Sequence, residues 1–165
     1  MRYLNSTQVT LDFLKSEHPW HDSLGIYFAW LLGGTVFDHN NSAYESLKSI
    51  GIGLVRNDSL RQQVSLVYEV RYPKVDETQQ LLFTHILDHL YPALRANLRT
   101  EIYRETTVPV NLEELRQNNG FAEDLYMTIF IYNLSIRTYE RALEETTNLI
   151  SDIEEELGLT KNQSR

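Results

Sequence analysis

From Leu125 to Leu157 the chain places Leu125, Ile129, Tyr132, Ile136, Tyr139, Leu143, Thr146, Ile150, Ile153 and Leu157 at alternating steps of four and three. That spacing keeps the apolar side chains on one face of a long helix and marks a seam packed lengthwise on partners. Thr146 is its one polar member. Tyr126, Phe130, Ile131 and Leu134 make the first half apolar on a second side, so that half is expected inside a bundle. The second half carries a narrower stripe, with Glu154, Glu155 and Glu156 on its outer face. It is expected to pack on an N-terminal helix around Leu11 and Leu14, or on a second copy of itself.

The remaining sequence reads as shorter helices with identifiable ends. Val9, Leu11, Phe13 and Leu14 fit a helix before Pro19. A second, capped by Asp22 or Ser23, carries Leu24, Tyr27, Phe28, Leu31 and Leu32 to a stop at Gly33-Gly34. Ser42 and Glu45 have the spacing of a capping box, opening a helix that ends at Ile50, with Gly51 as a positive-φ terminator. Asn57 caps the next pattern, which runs through Leu60, Val64, Val67 and Tyr68, with a kink or break predicted at Pro73. Leu82, Phe83, Ile86, Leu87, Leu90, Leu94 and Leu98 continue it, with a second bend at Pro92. Residues 106–110 read as irregular, and Asn111 with Glu114 opens a short helix that stops near Asn118. Strands are not expected: the β-branched content of 52–55 and 64–70 sits between helix caps. The predicted fold is all-α, an antiparallel helical bundle with a long C-terminal helix. It forms a single domain over 1–158, followed by a frayed tail at 159–165.

Charge and composition bound the function. The 165 residues carry a formal net charge of −8, with a sequence pI near 5.1. Strong attraction to nucleic acid or anionic lipid is disfavoured, since both are themselves anionic. No cysteine is present, so disulfides and thiolate chemistry are excluded. The most apolar run, Leu24–Leu32, is about half of the ~20 residues a membrane-spanning helix needs. Residues 1–6 lack the apolar core of a signal peptide.

No catalytic residues stand out. His85 and His89, four apart with Asp88 between them, have the spacing of metal ligands on one helical face. They fall on the polar flank of a stripe centred on Leu82, Ile86 and Leu90, where a solvated face is the expected reading. No glutamate follows His85 directly, as a zinc-protease helix requires, and no Glu-x-x-His of a di-iron bundle occurs. Gly51-Ile52-Gly53 lacks a third glycine, and no Gly-x-Ser-x-Gly is present. No cofactor is expected. His18, His21 and His39 lie at turns, and Pro19, Trp20 and His21 read as a helix junction. Arg95, Arg99 and Arg104 suit a phosphate or carboxylate, although pairing with Glu140, Glu144, Glu145 or the terminal glutamates is the favoured expectation. Ten tyrosines suit a bundle's core edge, or a cleft for an organic ligand.

One stretch goes beyond pattern. Ser42-Ala43-Tyr44-Glu45-Ser46-Leu47-Lys48-Ser49-Ile50-Gly51, then Leu54-Val55-Arg56-Asn57-Asp58-Ser59-Leu60-Arg61 and Val67-Tyr68, resembles the signature of an uncharacterised family of small bacterial membrane proteins. The resemblance implies a helical domain outside the cytoplasm, on the periplasmic side of the inner membrane, behind an anchor that this sequence does not contain. It implies no catalytic residues. The motif itself is a helix–turn–helix corner of Ser42, Tyr44, Glu45, Leu47, Gly51, Asn57 and Leu60, with Tyr44, Leu47, Leu54 and Leu60 expected to be buried. The favoured function is an extracytoplasmic, membrane-associated binding or scaffolding module without catalysis. Its partner is a protein or a second copy bound through the C-terminal helix, and nucleic acid is not expected. The alternatives are a small helical metal-binding protein or enzyme using His85, Asp88 and His89, and an intracellular helical adaptor, which would be cytoplasmic.

Overall fold

The structure, a computed structural model, describes residues 2–158. The expected frayed tail at 159–165 lies outside the described residues. The fold is mainly all-α, with a long C-terminal helix. The helices are α1 (Arg2–Lys15), α2 (Gly25–Ala29), α3 (Ser42–Ile50), α4 (Asp58–Ser65), α5 (Tyr72–His85), α6 (Tyr91–Asn97), α7 (Leu112–Gln117) and α8 (Asn119–Glu156). The chain divides into two compact units, a finer division than the single domain expected over 1–158. The first is Met1–Val36 with Gln79–Leu134, and the second Phe37–Thr78 with Ser135–Arg165.

The two prolines do not break the helical run from Asp58 to Asn97. Instead, a wide π turn precedes each: Leu66–Arg71 before Pro73, and Ile86–Leu90 before Pro92. Tyr72 N–H donates to the Val67 carbonyl, and Tyr91 N–H to that of Ile86, five residues back in each case. A proline has no N–H for the carbonyl four residues back and would crowd it, so a shift to five-residue bonding absorbs the misfit within the helix.

Some caps match the sequence reading and some do not. Asn57 Oδ1 accepts from Ser59 and Leu60 N–H, and Asn111 Oδ1 accepts from Glu113 and Glu114 N–H. Gly51 closes α3 at φ +120°, a conformation that favours glycine. The Ser42–Glu45 capping box does not form. Asn41 occupies the cap without a side-chain bond, and Asn40 Oδ1 accepts from both Ser42 N–H (2.9 Å) and Ser42 Oγ (2.6 Å). The α2 region also differs. His21 Nδ1, not Asp22 or Ser23, caps a 3-10 turn at Asp22–Leu24, and α2 ends at Ala29, before the Gly33-Gly34 stop.

A hairpin stands where no strand was expected. Strand β1 (Leu98–Ile102) pairs antiparallel with β2 (Thr106–Pro109), with an irregularity between Thr100 and Ile102. Leu98 leaves the helical stripe because α6 stops at Asn97. The β-branched run Thr106-Thr107-Val108 then finds a partner strand. Among the described residues this is the only sheet. Gly25 of α2 lies against Thr106, and a Cβ there would sit 3.1 Å from the Thr106 methyl, so a small residue lets α2 reach the hairpin.

The core of the first unit joins Leu11, Phe13 and Leu14 of α1, Phe28 of α2, Leu31, Leu82, Ile86, Leu90, Leu94, Leu115, and Phe121, Leu125, Ile131 and Tyr132 of α8. Trp20 packs edge-on against Phe13 and Phe28, so Pro19-Trp20-His21 is a helix junction. The core of the second unit joins Tyr44, Leu60, Val64, Val67 and Leu149, with Leu47, Ile52, Val55, Tyr68, Tyr72 and Ile153 half-buried against it. Leu47 is therefore only partly covered, and Leu54 is exposed, contrary to the expected corner packing. Gly51 and Gly53 also face open space, so this turn stands away from the core.

The buried register of α8 shares only half of the expected seam. Leu125 and Tyr132 are buried, and Tyr139, Thr146 and Ile153 are half-buried. The alternate positions shift back by one residue, to Phe121, Thr128, Ser135, Ala142 and Leu149. Leu143 and Ile150 are left 69% and 52% exposed. Thr128, Ser135 and Ala142 carry smaller side chains than Ile129, Ile136 and Leu143, and it is the smaller set that is buried. Leu149 belongs to the core with Tyr44 and Leu60, whereas Leu11 and Leu14 belong to the core of the first unit.

A candidate anion-binding cleft

In the first unit, α2, α6 and the hairpin enclose a cleft of about 240 Å³. Its apolar wall is Phe28, Leu32, Leu94 and Leu98. Phe28 and Leu94 are fixed by the core, so this wall is preformed. Its polar groups are Arg95, Arg104, Thr100 and the phenols of Tyr91 and Tyr103. The lining holds two guanidinium groups and no carboxylate, in a chain whose net charge is −8.

Local geometry explains how the arginines arrive there. Arg95 sits in the last turn of α6, with its guanidinium 5.8 Å from the Tyr91 ring. Arg104 sits at the hairpin turn, where Glu105 N–H donates to the Ile102 carbonyl at 3.0 Å. Its φ is +59°, the one positive value on a described residue other than glycine. An L-residue in that conformation costs about 1 kcal/mol relative to glycine. The strained residue carries the cation: its guanidinium lies 5.1 Å from the Trp30 ring and 5.3 Å from the Tyr103 ring. Arg2 lies over the same indole at 4.5 Å, so two guanidiniums share that ring. Thr107 is buried and donates to Thr100 Oγ1 at 3.3 Å, which holds that hydroxyl in place on the facing strand.

Arg95, Arg99 and Arg104 belong to the first unit, and Glu140, Glu144, Glu145 and the terminal glutamates to the second. Arg99 pairs with Glu101 on its own strand at 3.0 Å, and Arg71 takes Glu145 at 2.5 Å. Among the described residues, Arg95 and Arg104 have aromatic neighbours and no acid partner. A short strand carries Arg99 to a local acid, while the hairpin turn and the last turn of α6 place the other two in the lining of the cleft.

The histidine pair is split by burial. His85 was expected on a solvated flank but is buried, its Nε2 3.0 Å from Thr128 Oγ1 and 3.2 Å from the Asp124 carbonyl. Thr128 Oγ1 spends its own proton on that carbonyl at 2.6 Å, so Nε2 serves as the donor and is committed to α8. His89 stacks on it at 5.5 Å but is exposed, as is Asp88. Among the described residues no group of three or more histidines and carboxylates is placed to hold a metal ion. His39 of the second unit stacks on Phe37 and tilts against Tyr72, 4.0 Å from Asp76.

The motif corner carries its own part-buried polar contact. Tyr44 Oη donates to Glu69 Oε1 at 2.6 Å, Lys48 Nζ lies 3.2 Å from the same oxygen, and the Tyr44 and Tyr68 rings stack at 4.6 Å. Burial first, then the Glu69 bond and charge, push the Tyr44 phenol up to about 12. The Tyr44 and Lys48 bonds hold the Glu69 carboxyl below its ordinary value of 4.5. A depressed carboxylate contributes stability above its unfolded pKa and loses it as pH falls through the lower folded value. The raised phenol contributes below pH 10.0 and loses it as pH climbs toward about 12. The melting temperature is therefore expected to fall below about pH 4.5. Glu69→Gln should flatten that acid limb, and Tyr44→Phe the alkaline one. Identical pH profiles for wild type and Glu69→Gln would show that this contact is not coupled to folding.

The first unit thus presents a preformed apolar slot rimmed by hydroxyls and unpaired guanidiniums, the make-up of a site for a small anion with an apolar body. Compared with known proteins, the chain matches no family model, no curated protein and no solved structure. Among the described residues, no helix is long and apolar enough to cross a membrane.

Proposed function

We propose that the protein is a helical binding module without catalysis, and that its cleft takes a small organic anion such as an aromatic or aliphatic carboxylate, sulfonate or phosphate. The observation that carries this reading is the pair Arg95 and Arg104, without acid partners among the described residues and lining the cleft together with an apolar wall. A guanidinium binds an oxyanion through charge-assisted, often forked hydrogen bonds. Tyr91 and Tyr103 add ring faces for a flat body. What favours binding over reaction is the lining itself, which offers arginines, hydroxyls and apolar groups but neither a carboxylate nor an imidazole to act as a base. The resemblance of residues 42–61 supports an extracytoplasmic, membrane-associated address, with the module serving sensing or scaffolding there.

Titration calorimetry with naphthalene-2-sulfonate tests the proposal, with 2-naphthol as the neutral control of similar shape. The sulfonate is expected to bind with a Kd on the order of 1 mM, as suits a ligand of that size in an unoptimised site. Arg104→Gln and Arg95→Gln should each weaken it about tenfold, the loss of one charge-assisted contact. Equal binding of 2-naphthol, or arginine variants that bind as wild type does, would remove the basis for an anion site.

A further inference from the structure

The second half of α8 presents a face that the core of its own unit does not use. Leu143 and Ile150 of α8, and Leu157 in the turn just past its end, recur every seven residues and are 69%, 52% and 65% exposed. The buried stripe of Ala142, Leu149 and half-buried Thr146 lies beside them on the helix, so the exposed stripe is a second, separate apolar seam. Its neighbours are acidic. From Glu140 to Leu157 the sequence holds seven carboxylates (Glu140, Glu144, Glu145, Asp152, Glu154, Glu155 and Glu156) against the single cation Arg141. Glu145 is taken by Arg71, Asp152 accepts from Gln63 and Glu156 from Asn57, so these three look toward α4 and the turn after it. Glu140, Glu144 and Glu154 are exposed and border the apolar stripe.

We infer that this face docks a basic amphipathic helix of another protein, with apolar residues at heptad spacing and lysines or arginines on its flanks. An exposed heptad seam is the half of a helix pair that supplies area, and the flanking charges select the partner. The acids choose a basic partner. They also choose against a second copy of this chain, which would bring the same carboxylates to the seam and repel. The surface goes beyond the cleft proposal and does not depend on it: the cleft lies in the first unit, the stripe in the second.

The test is fluorescence anisotropy of a labelled leucine–lysine peptide of about five helical turns, with leucines at heptad spacing, titrated with the protein at about 0.15 M salt. A scrambled peptide of identical composition keeps the charge and loses the seam. The seamed peptide is expected to bind at least about tenfold more tightly than the scrambled one. Leu143→Ser with Ile150→Ser should abolish that difference while the helical circular dichroism stays unchanged. Three results overturn the inference: equal binding of both peptides, no binding of either, or wild-type protein that sediments as a dimer and becomes monomeric in the double variant. The two-peptide comparison on wild type stands whether or not the double variant folds.

Discussion

Leu149→Asp is expected to unfold the second unit, while Ile150→Asp, one residue further on, should scarcely change its stability. Leu149 is 4% exposed and packs with Tyr44, Leu60, Val64 and Val67. Replacing it removes roughly 2–5 kcal/mol of buried leucine and leaves a carboxylate with no partner in an apolar cluster. That sum approaches the whole stability of a small unit. Ile150 is 52% exposed, so an aspartate there stays in water and should cost no more than about 1 kcal/mol, part of it repulsion from neighbouring glutamates. Thermal unfolding of the two variants reads the register of α8 directly. The reverse order, with Ile150→Asp the severe change, would mean that the helix is rotated from the described packing.

The second large effect is at Gly33. Its φ is +151°, and a Cβ there would be driven into the Tyr3 ring. The ring has little freedom to retreat: it stacks on Tyr132 at 6.4 Å and tilts against Trp30 at 5.7 Å. The Gly33 carbonyl also accepts from Tyr132 Oη at 2.7 Å, so shifting the backbone would break that bond. Gly33→Ala is expected to cost roughly 3 kcal/mol, from backbone strain and the clash together. That lowers the melting temperature by roughly 6–12 °C for a chain of this size. Part of the cost is steric, so Tyr3→Leu should be less harmful in the Gly33→Ala background than in wild type. Strictly additive effects of the two changes would refute the contact.

What was legible in the sequence was local. Asn57 and Asn111 cap their helices because an asparagine oxygen two or three residues before free N–H groups needs no tertiary help. Gly51 takes a positive φ for an equally local reason. Long-range packing decided the rest. The sequence places Ile129, Ile136, Leu143 and Ile150 on the α8 seam by bulk, but neighbouring segments close against the smaller Thr128, Ser135 and Ala142. Periodicity alone does not distinguish two stripes offset by one residue when one is large and the other small. At Pro73, expected as a kink or break, and Pro92, expected as a bend, a π turn precedes the proline and the helical run continues.

The cleft was half visible. Arg95 and Arg104 were candidates for an oxyanion, but the hairpin that brings Arg104 to Trp30 and Tyr103 was not foreseen. Pro109 and the helical stripe ending at Leu98 hid both strands. A signal was present in retrospect: Thr106-Thr107-Val108 is strongly β-branched, and a five-residue strand precedes it across a three-residue turn. The positive φ of Arg104 leaves no trace in sequence, because the turn would ordinarily take glycine. His85 went the other way. Its place on a polar flank suggested solvent, and only the proximity of Thr128 and Asp124 reveals why a buried imidazole is satisfied there.

Residue-resolved nuclear magnetic resonance reads the proposed binding of a small organic anion between Arg95 and Arg104 of the first unit. Naphthalene-2-sulfonate is titrated into isotope-labelled protein while backbone amides and arginine Nε–H signals are followed. The account predicts saturable shifts at Arg95, Thr100, Tyr103, Arg104 and Thr107, the residues around the cleft. It also predicts their disappearance in the Arg95→Gln, Arg104→Gln double variant, and no comparable response to 2-naphthol. Saturable shifts centred elsewhere, or shifts at the cleft that survive loss of both arginines, would contradict it.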